Sequence, residues 1–171
     1  MNLSVAVSQN WGIGYKNELL FRIREDLQRF KKLTTNKIVV MGHNTFKSLP
    51  NAKPLPNRIN IVLSREKKLH IPGVIICDSI NSLENILQNY ETENIFVIGG
   101  EKIYSQLLNR CRTAYITKVE ANPTADAFMP NIDKLPNWQL LEETSFSENE
   151  GLMYKYCIYS NKSFFDTPHA H

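Results

Sequence analysis

Short runs rich in β-branched and apolar residues alternate along the chain with stretches of helical periodicity, and this alternation limits the fold more than any other feature. The runs are "LSVAV" (3–7), "KIVVM" (37–41), the segment 58–63, "GVIIC" (73–77), "NIFVIGG" (94–100) and "TAYITKVE" (113–120). Helical patterns fall at 25–34, at a short turn over 44–49, at "SINSLENILQNY" (79–90) behind a Ser79 cap, and at "EKIYSQLLNR" (101–110). Strands separated by helices require right-handed crossovers and a mostly parallel sheet. The last two runs, near 138–145 and 153–160, have only the turn-forming "SENEG" between them and are expected to pair as an antiparallel hairpin. The expected architecture is a single-domain mixed α/β sheet with flanking helices over residues 1–162, ending in an antiparallel C-terminal hairpin. "SQNWGIGYKNELL" (8–20) has two glycines and little periodicity and is expected as a long loop. Residues 163–171 are expected as a flexible tail, and their His169 and His171 read as a frayed terminus before they read as a metal site.

With 171 residues the chain can bury a substantial core, and 42% hydrophobic with 22% charged residues is an ordinary globular balance. A formal net charge of +3 from 20 basic and 17 acidic residues, well mixed along the sequence, gives no basis for nucleic-acid binding. Three widely spaced cysteines, Cys77, Cys111 and Cys157, fit neither a disulfide framework nor a zinc site and suit a reducing compartment. No leader pattern opens the chain and no segment approaches a membrane span. The expectation is a soluble cytoplasmic monomer without membrane, nucleic-acid or metal partners.

One carboxylate is out of place. In "FRIREDLQRFKKL" (21–33), Asp26 falls on the arc of Leu27, Phe30 and Leu33, while Glu25, Gln28, Lys31 and Lys32 lie outside it and Arg29 lies at its edge. A first-turn acid complements the helix dipole, but such an acid ordinarily points at water. A buried one needs donors to stay ionised, and its own helix offers none on that face, so a ligand could supply them. Both readings stand on the residues alone.

Ligands in open α/β sheets bind outside the carboxyl ends of the strands. Three such ends here carry glycine or polar residues. "VIGGEKIY" (97–104) can be a simple turn or a place where backbone N–H groups approach a phosphate. "GHNTF" (42–46) offers His43 as a loop residue or an anion contact. "NIVLSR" (60–65) ends in Ser64 and Arg65, a solvated strand end or a hydroxyl and guanidinium suited to a phosphate monoester. Together the three suit a long, multiply phosphorylated ligand such as a dinucleotide.

Six blocks, in order, carry a resemblance to the dihydrofolate reductase family: "VAVSQNWGIG" (5–14), "EDLQRFKKLT" (25–34), "VVMGHNTFKSLP" (39–50), "PLPNRINIVLSR" (54–65), "IFVIGGEKIY" (95–104) and "ITKVEANPTADAFMP" (116–130). The resemblance covers about residues 3 to 160 and implies NADPH-dependent reduction of 7,8-dihydrofolate to tetrahydrofolate, an antifolate-targeted step of one-carbon metabolism. It implies that Asp26 holds the pterin, supported from behind by Thr117, and that Arg58 grips the substrate's α-carboxylate. Ser4, Val5, Ala6, Leu19, Phe21, Leu27, Phe30, Leu49, Leu55, Ile98 and Tyr104 match the substrate pocket. Ala6, Ile13, Gly14, Asn17 and Glu18 match the nicotinamide side. Gly42, His43, Asn44, Thr45, Leu63, Ser64 and Arg65 match the cofactor's phosphate and ribose contacts, as do Ile98, Gly99, Gly100, Glu101, Lys102, Ile103, Tyr104 and Asp126. The resemblance also implies a cis peptide between Gly99 and Gly100.

Four positions depart from the family pattern. Phe21 stands for a tryptophan and has no indole N–H to hold a water near the pterin. Arg24 stands for a proline, Ser4 for an aliphatic residue, and His43 for an arginine at the cofactor phosphates. The alternatives weighed are a same-fold pyrimidine reductase of riboflavin synthesis and a non-catalytic nucleotide-binding protein. Asp26 and Arg58 in their folate-type blocks argue against the first, and the retained Asp26 argues against the second.

Overall fold

A computed structural model describes residues 1–164. The elements in chain order are β1 (Asn2–Val7), β2 (Gly12–Tyr15), β3 (Glu18–Leu19), α1 (Arg24–Thr34), β4 (Ile38–Gly42), α2 (His43–Ser48), β5 (Ile59–Leu63), β6 (Val74–Cys77) and α3 (Ile80–Leu87). There follow β7 (Ile95–Gly99), α4 (Glu101–Leu107), β8 (Thr113–Val119), β9 (Ala127–Phe128), β10 (Trp138–Glu143), β11 (Ser147–Asn149) and β12 (Leu152–Asn161). The main sheet runs β10-β12-β8-β1-β7-β4-β5-β6, with β11 added alongside β12. Pairs among β8, β1, β7, β4, β5 and β6 are parallel, and β12 pairs antiparallel with β8, β10 and β11. The mixed, mostly parallel sheet expected from the alternation is the observed one.

Strand side chains alternate between two faces. On β4, Ile38 and Val40 join the core cluster beneath α3 and α4 with Leu83, Leu87, Ile103 and Leu107. Val39 and Met41 point the other way, with Phe46, Val62, Phe96 and the inner residue of α1, Leu33. Both faces are covered, so the central strands read as continuous apolar runs rather than as alternating ones. Helix α3 begins at the expected cap: Ser79 Oγ accepts from the Ser82 amide, and Ser82 Oγ accepts from the Ser79 amide.

Two expectations need correction. The stretch 8–20 is not a plain loop: β2 and β3 form a hairpin that pairs with β9 as a separate three-stranded sheet. Its turn residues, Lys16 and Asn17, have φ of 48° and 61°, the geometry of a primed two-residue turn, here made without glycine. Glycine-free turns give a weak sequence signal, and the strands are too short to show a period. The second correction concerns "SENEG", whose first three residues are β11, so that only Glu150 and Gly151, at φ 50° and 80°, make the turn into β12. The tail beyond residue 164, with His169 and His171, lies outside the described residues.

Candidate active site

The chain leaves β1, crosses through α1 to β4, and later inserts β7 between them, so the carboxyl ends of β1, β7 and β4 border one crevice. Asp26 reaches this crevice from the first turn of α1. Its Oδ1 accepts a 2.5 Å hydrogen bond from Thr117 Oγ1 on β8, across 91 residues of sequence. Burial holds the Asp26 carboxyl above the usual carboxylate range, while the Thr117 hydrogen bond and the Arg29 charge pull it down. The acid is half-buried rather than sealed, because Leu27 beside it is 43% exposed and lies on the lip of the crevice, not under the helix. Two groups complete the carboxylate's surroundings: the Thr117 hydroxyl, which the resemblance implied behind Asp26, and the guanidinium of Arg29 at the edge of the arc.

Thr117→Val removes one hydrogen bond to the charged form and leaves the desolvation in place. The Asp26 carboxyl should then titrate at higher pH than in the parent, read by the chemical shift of its labelled carboxyl carbon. An unmoved titration would show that the Thr117 contact does not act on the charged state.

The floor of the crevice is built from close backbone approaches. The peptide between Gly99 and Gly100 is cis, as expected. A Cβ on Gly100 would stand 3.2 Å from Thr45 Oγ1, and one on Gly42 would stand 3.1 Å from Ile103 Cγ1. The ends of β4 and β7 are therefore kept free of side chains where they meet α2 and α4. Tyr104 Oη donates a 2.8 Å hydrogen bond to the Ser4 carbonyl, joining α4 to β1. Ser4, Val5 and Ala6, together with Ile98, are partly accessible along these strand ends.

The β2–β3 hairpin that carries Ile13, Gly14, Asn17 and Glu18 is tied to the segment before β9. Asp126 Oδ2 accepts from the Lys16 amide at 3.0 Å, and the Asp126 amide donates to the Gly14 carbonyl at 3.0 Å. Glu101 Oε1 accepts from the Phe128 amide at 3.2 Å. Asp126 and Glu101, matched to cofactor positions in sequence, thus hold this hairpin sheet in place. Leu19 at its end is 53% exposed. Phe21, matched to the pocket, is 8% exposed and packs in a small cluster with Ile23, Val119 and Tyr154.

The far wall is held by a buried asparagine. Asn60 Oδ1 accepts from the Leu55 amide, and its Nδ2 donates to the carbonyls of Leu55 and Arg58 at 2.9 and 3.2 Å. This fixes the loop that presents Leu55 and Arg58, with Leu55 packed against the same apolar cluster as Leu49. The Arg58 Nε is buried and makes no hydrogen bond, and desolvation lowers the affinity of the guanidinium for its proton. An orphaned donor on a partly buried cation is costly unless an anion meets it.

At the ends of β4 and β5, His43 Nδ1 lies 3.6 Å from Glu66 Oε2, a contact the sequence reading missed although Glu66 follows "LSR" directly. Ser64 Oγ accepts from the Glu66 amide at 3.2 Å, and Arg65 is exposed without an ion pair among the described residues. Asn44, Thr45 and Leu63 border the same edge, and Lys102 and Ile103 follow Glu101 at the start of α4. A cavity of about 180 Å³ elsewhere, lined by Trp11, Lys118, Asp133 and Lys155, is set apart from this crevice, and both its lysines are already paired with Asp133 and Glu143. No cluster of metal-ligating residues occurs among the described residues.

The chain is similar in sequence and in fold to known proteins. The family model described as dihydrofolate reductase matches residues 1–162. A dihydrofolate reductase of Buchnera aphidicola from Acyrthosiphon pisum is 36% identical over 158 residues, covering 91% of this chain and 96% of that protein. A bifunctional dihydrofolate reductase-thymidylate synthase of Paramecium tetraurelia is 34% identical over 166 residues, or 95% of this chain, which spans only 35% of that longer protein. Among solved structures, a dihydrofolate reductase from Enterococcus faecalis complexed with NADP(H) superimposes with a TM-score of 0.84 at 26% identity, covering 94% of this chain and 95% of that one.

Proposed function

The chain belongs to the dihydrofolate reductase family, and from that premise we propose how its residues share the NADPH-dependent reduction of 7,8-dihydrofolate to tetrahydrofolate. Asp26 carries the reading: it is a half-buried carboxylate on an open crevice with one oxygen already held by Thr117. Its remaining acceptor positions fit the ring N–H and exocyclic amino group of a pterin. Its charge favours a proton on N5 of the bound ring, which C6 needs in order to accept hydride. Bound NADPH supplies that hydride.

Leu19, Leu27, Phe30, Leu49 and Leu55 enclose the ring and benzoyl portion in apolar surface, and Phe21 supports them from its cluster. Arg58 turns its unpartnered guanidinium edge to the α-carboxylate of the glutamate tail. The side-chain-free ends of β4 and β7, with the cradle formed by Gly42, Gly99 and Gly100, fit the pyrophosphate of a dinucleotide. Ala6, Ile13 and Gly14 border the nicotinamide, and Ser64, Arg65 and His43 approach the 2′-phosphate. Incubation with NADPH and dihydrofolate, following the loss of reduced-nicotinamide absorbance, tests the whole reading, and no turnover would refute it. We also place the protein in the cytoplasm as a monomer, a reading supported by three buried free cysteines. Light scattering in solution checks the monomer.

Cofactor choice tests the phosphate end separately. A charge-assisted contact contributes roughly 1.5–3 kcal/mol, about 10- to 150-fold in specificity. Arg65→Ala should weaken NADPH by that order and leave NADH nearly unchanged. Glu66 beside His43 places a carboxylate at the same edge and opposes an anion there. Paired NADPH and NADH kinetics decide the point. Equal weakening of both cofactors would show that Arg65 does not read the 2′-phosphate.

A further inference from the structure

Helix α1 carries a cation that nothing in the crevice neutralises. Arg29 lies one turn beyond Asp26, and residues three apart on a helix are neighbours. Its Cζ sits 4.1 Å from the centroid of the Tyr156 ring on β12 and 5.8 Å from that of Tyr115 on β8. It makes no ion pair with a carboxylate among the described residues. The acid next to Asp26 in sequence, Glu25, is engaged elsewhere: its Oε2 accepts a 3.0 Å hydrogen bond from Asn149 Nδ2.

We propose that Arg29 is the electrostatic positioning residue of this site: its guanidinium, seated on the Tyr156 ring, fixes an unneutralised positive charge beside Asp26. The aromatic faces hold the cation without cancelling it, because a ring quadrupole attracts a cation yet carries no net charge. A carboxylate in its place would form a salt bridge and silence the field at Asp26. Tyr156 itself stays neutral throughout the working range, since burial and then the charge of Asp26 push its phenol up to about 12.

The groups facing Asp26 are few. Arg29 faces it from its own helix, Thr117 from β8, and Tyr156, with Tyr154 behind it, from β12, while Tyr115 on β8 lies under Arg29. Among them Arg29 alone is a fixed charge. It disfavours a proton on Asp26 and, once a pterin is bound, equally disfavours one on N5, so it sets the pH above which the crevice fails to hold the proton that the reaction consumes. The sign follows directly. Removing the cation makes protonation easier, and the fall of rate with rising pH moves to higher pH.

This inference rests on the dihydrofolate reductase reading for its kinetic consequence but not for its electrostatic one, so two readouts are needed. In Arg29→Met and in Arg29→Gln, which keeps the polarity and loses the charge, the midpoint of the kcat/KM profile for dihydrofolate should rise by about 0.5 on the pH scale, the size of a neighbouring unit charge across a water-lined cleft. The carboxyl-carbon titration of Asp26 in the ligand-free protein should rise with it. Arg29→Lys, which keeps a cation over the ring, should leave both midpoints near the parent values. Unmoved Asp26 titrations in both neutral variants overturn the inference even if activity drops, because loss without displacement is a packing effect. A displaced titration in a protein that does not reduce dihydrofolate upholds the inference and refutes the functional reading.

Discussion

Asp26→Asn should lower turnover at neutral pH by at least about 10²-fold, the usual scale for a positioned acid–base group. The substitution preserves shape and can keep the hydrogen bond from Thr117 Oγ1 through the amide oxygen. What it removes is the charge, and it turns a donor toward ring N–H groups that also donate. Two donors facing each other in a partly desolvated crevice cost binding as well as rate. Because the proton is no longer attracted by a carboxylate, the remaining activity should recover toward low pH, where solvent supplies protons more readily. Stopped-flow measurement of the single-turnover rate across pH checks this. Turnover within threefold of the parent at neutral pH would remove Asp26 from the catalytic role.

Arg58→Leu should raise the KM for dihydrofolate by about 10²-fold while changing that for NADPH little, since truncating one partner of a buried charge pair costs roughly 2–5 kcal/mol. The structural reason is the buried Nε without an acceptor, on a guanidinium whose desolvation is already a cost in the free protein. An incoming carboxylate meets that donor, and a bidentate pair adds geometric selectivity. Leucine keeps the apolar stem in place, and the loop is retained because Asn60 holds it through backbone groups of Leu55 and Arg58. A pterin lacking the glutamate tail should therefore be reduced with nearly parental kinetics. Equal losses with tailed and tailless substrates would show that Arg58 serves the loop and not the ligand. The free protein offers a second check: with the uncompensated cation removed, Arg58→Leu should be no less stable than the parent in thermal melts.

Much of this protein was legible in its sequence because the relevant physics is local. Strands covered on both faces must be apolar throughout, so "KIVVM" and "NIFVIGG" announce themselves, and the breakers between them place the crossovers. The Ser79 cap acts within four residues and was read correctly. Asp26 stood out because a helical arc follows from spacing alone, whereas the cis peptide at Gly99–Gly100 was implied only by the resemblance, since two glycines at a strand end fit a simple turn equally well. Where the signal was local but weak, the reading failed: the turn at Lys16–Asn17 contains no glycine, and the hairpin it closes went unseen.

Only the tertiary structure decided how those residues reach their partners. The hydroxyl at Asp26 comes from a strand 91 residues away, and the order of strands in the sheet brings it there. Arg29 lies at the edge of the arc, and its partners there, Tyr156 and Tyr115, come from two other strands. Glu66 opposes His43 because β4 and β5 end side by side, and Asn60 holds the backbone of the loop whose Arg58 Nε is left without an acceptor. Pattern in a sequence fixes which face a side chain takes. Which charge or ring lies across from it depends on how distant strands are ordered, and no local period encodes that order.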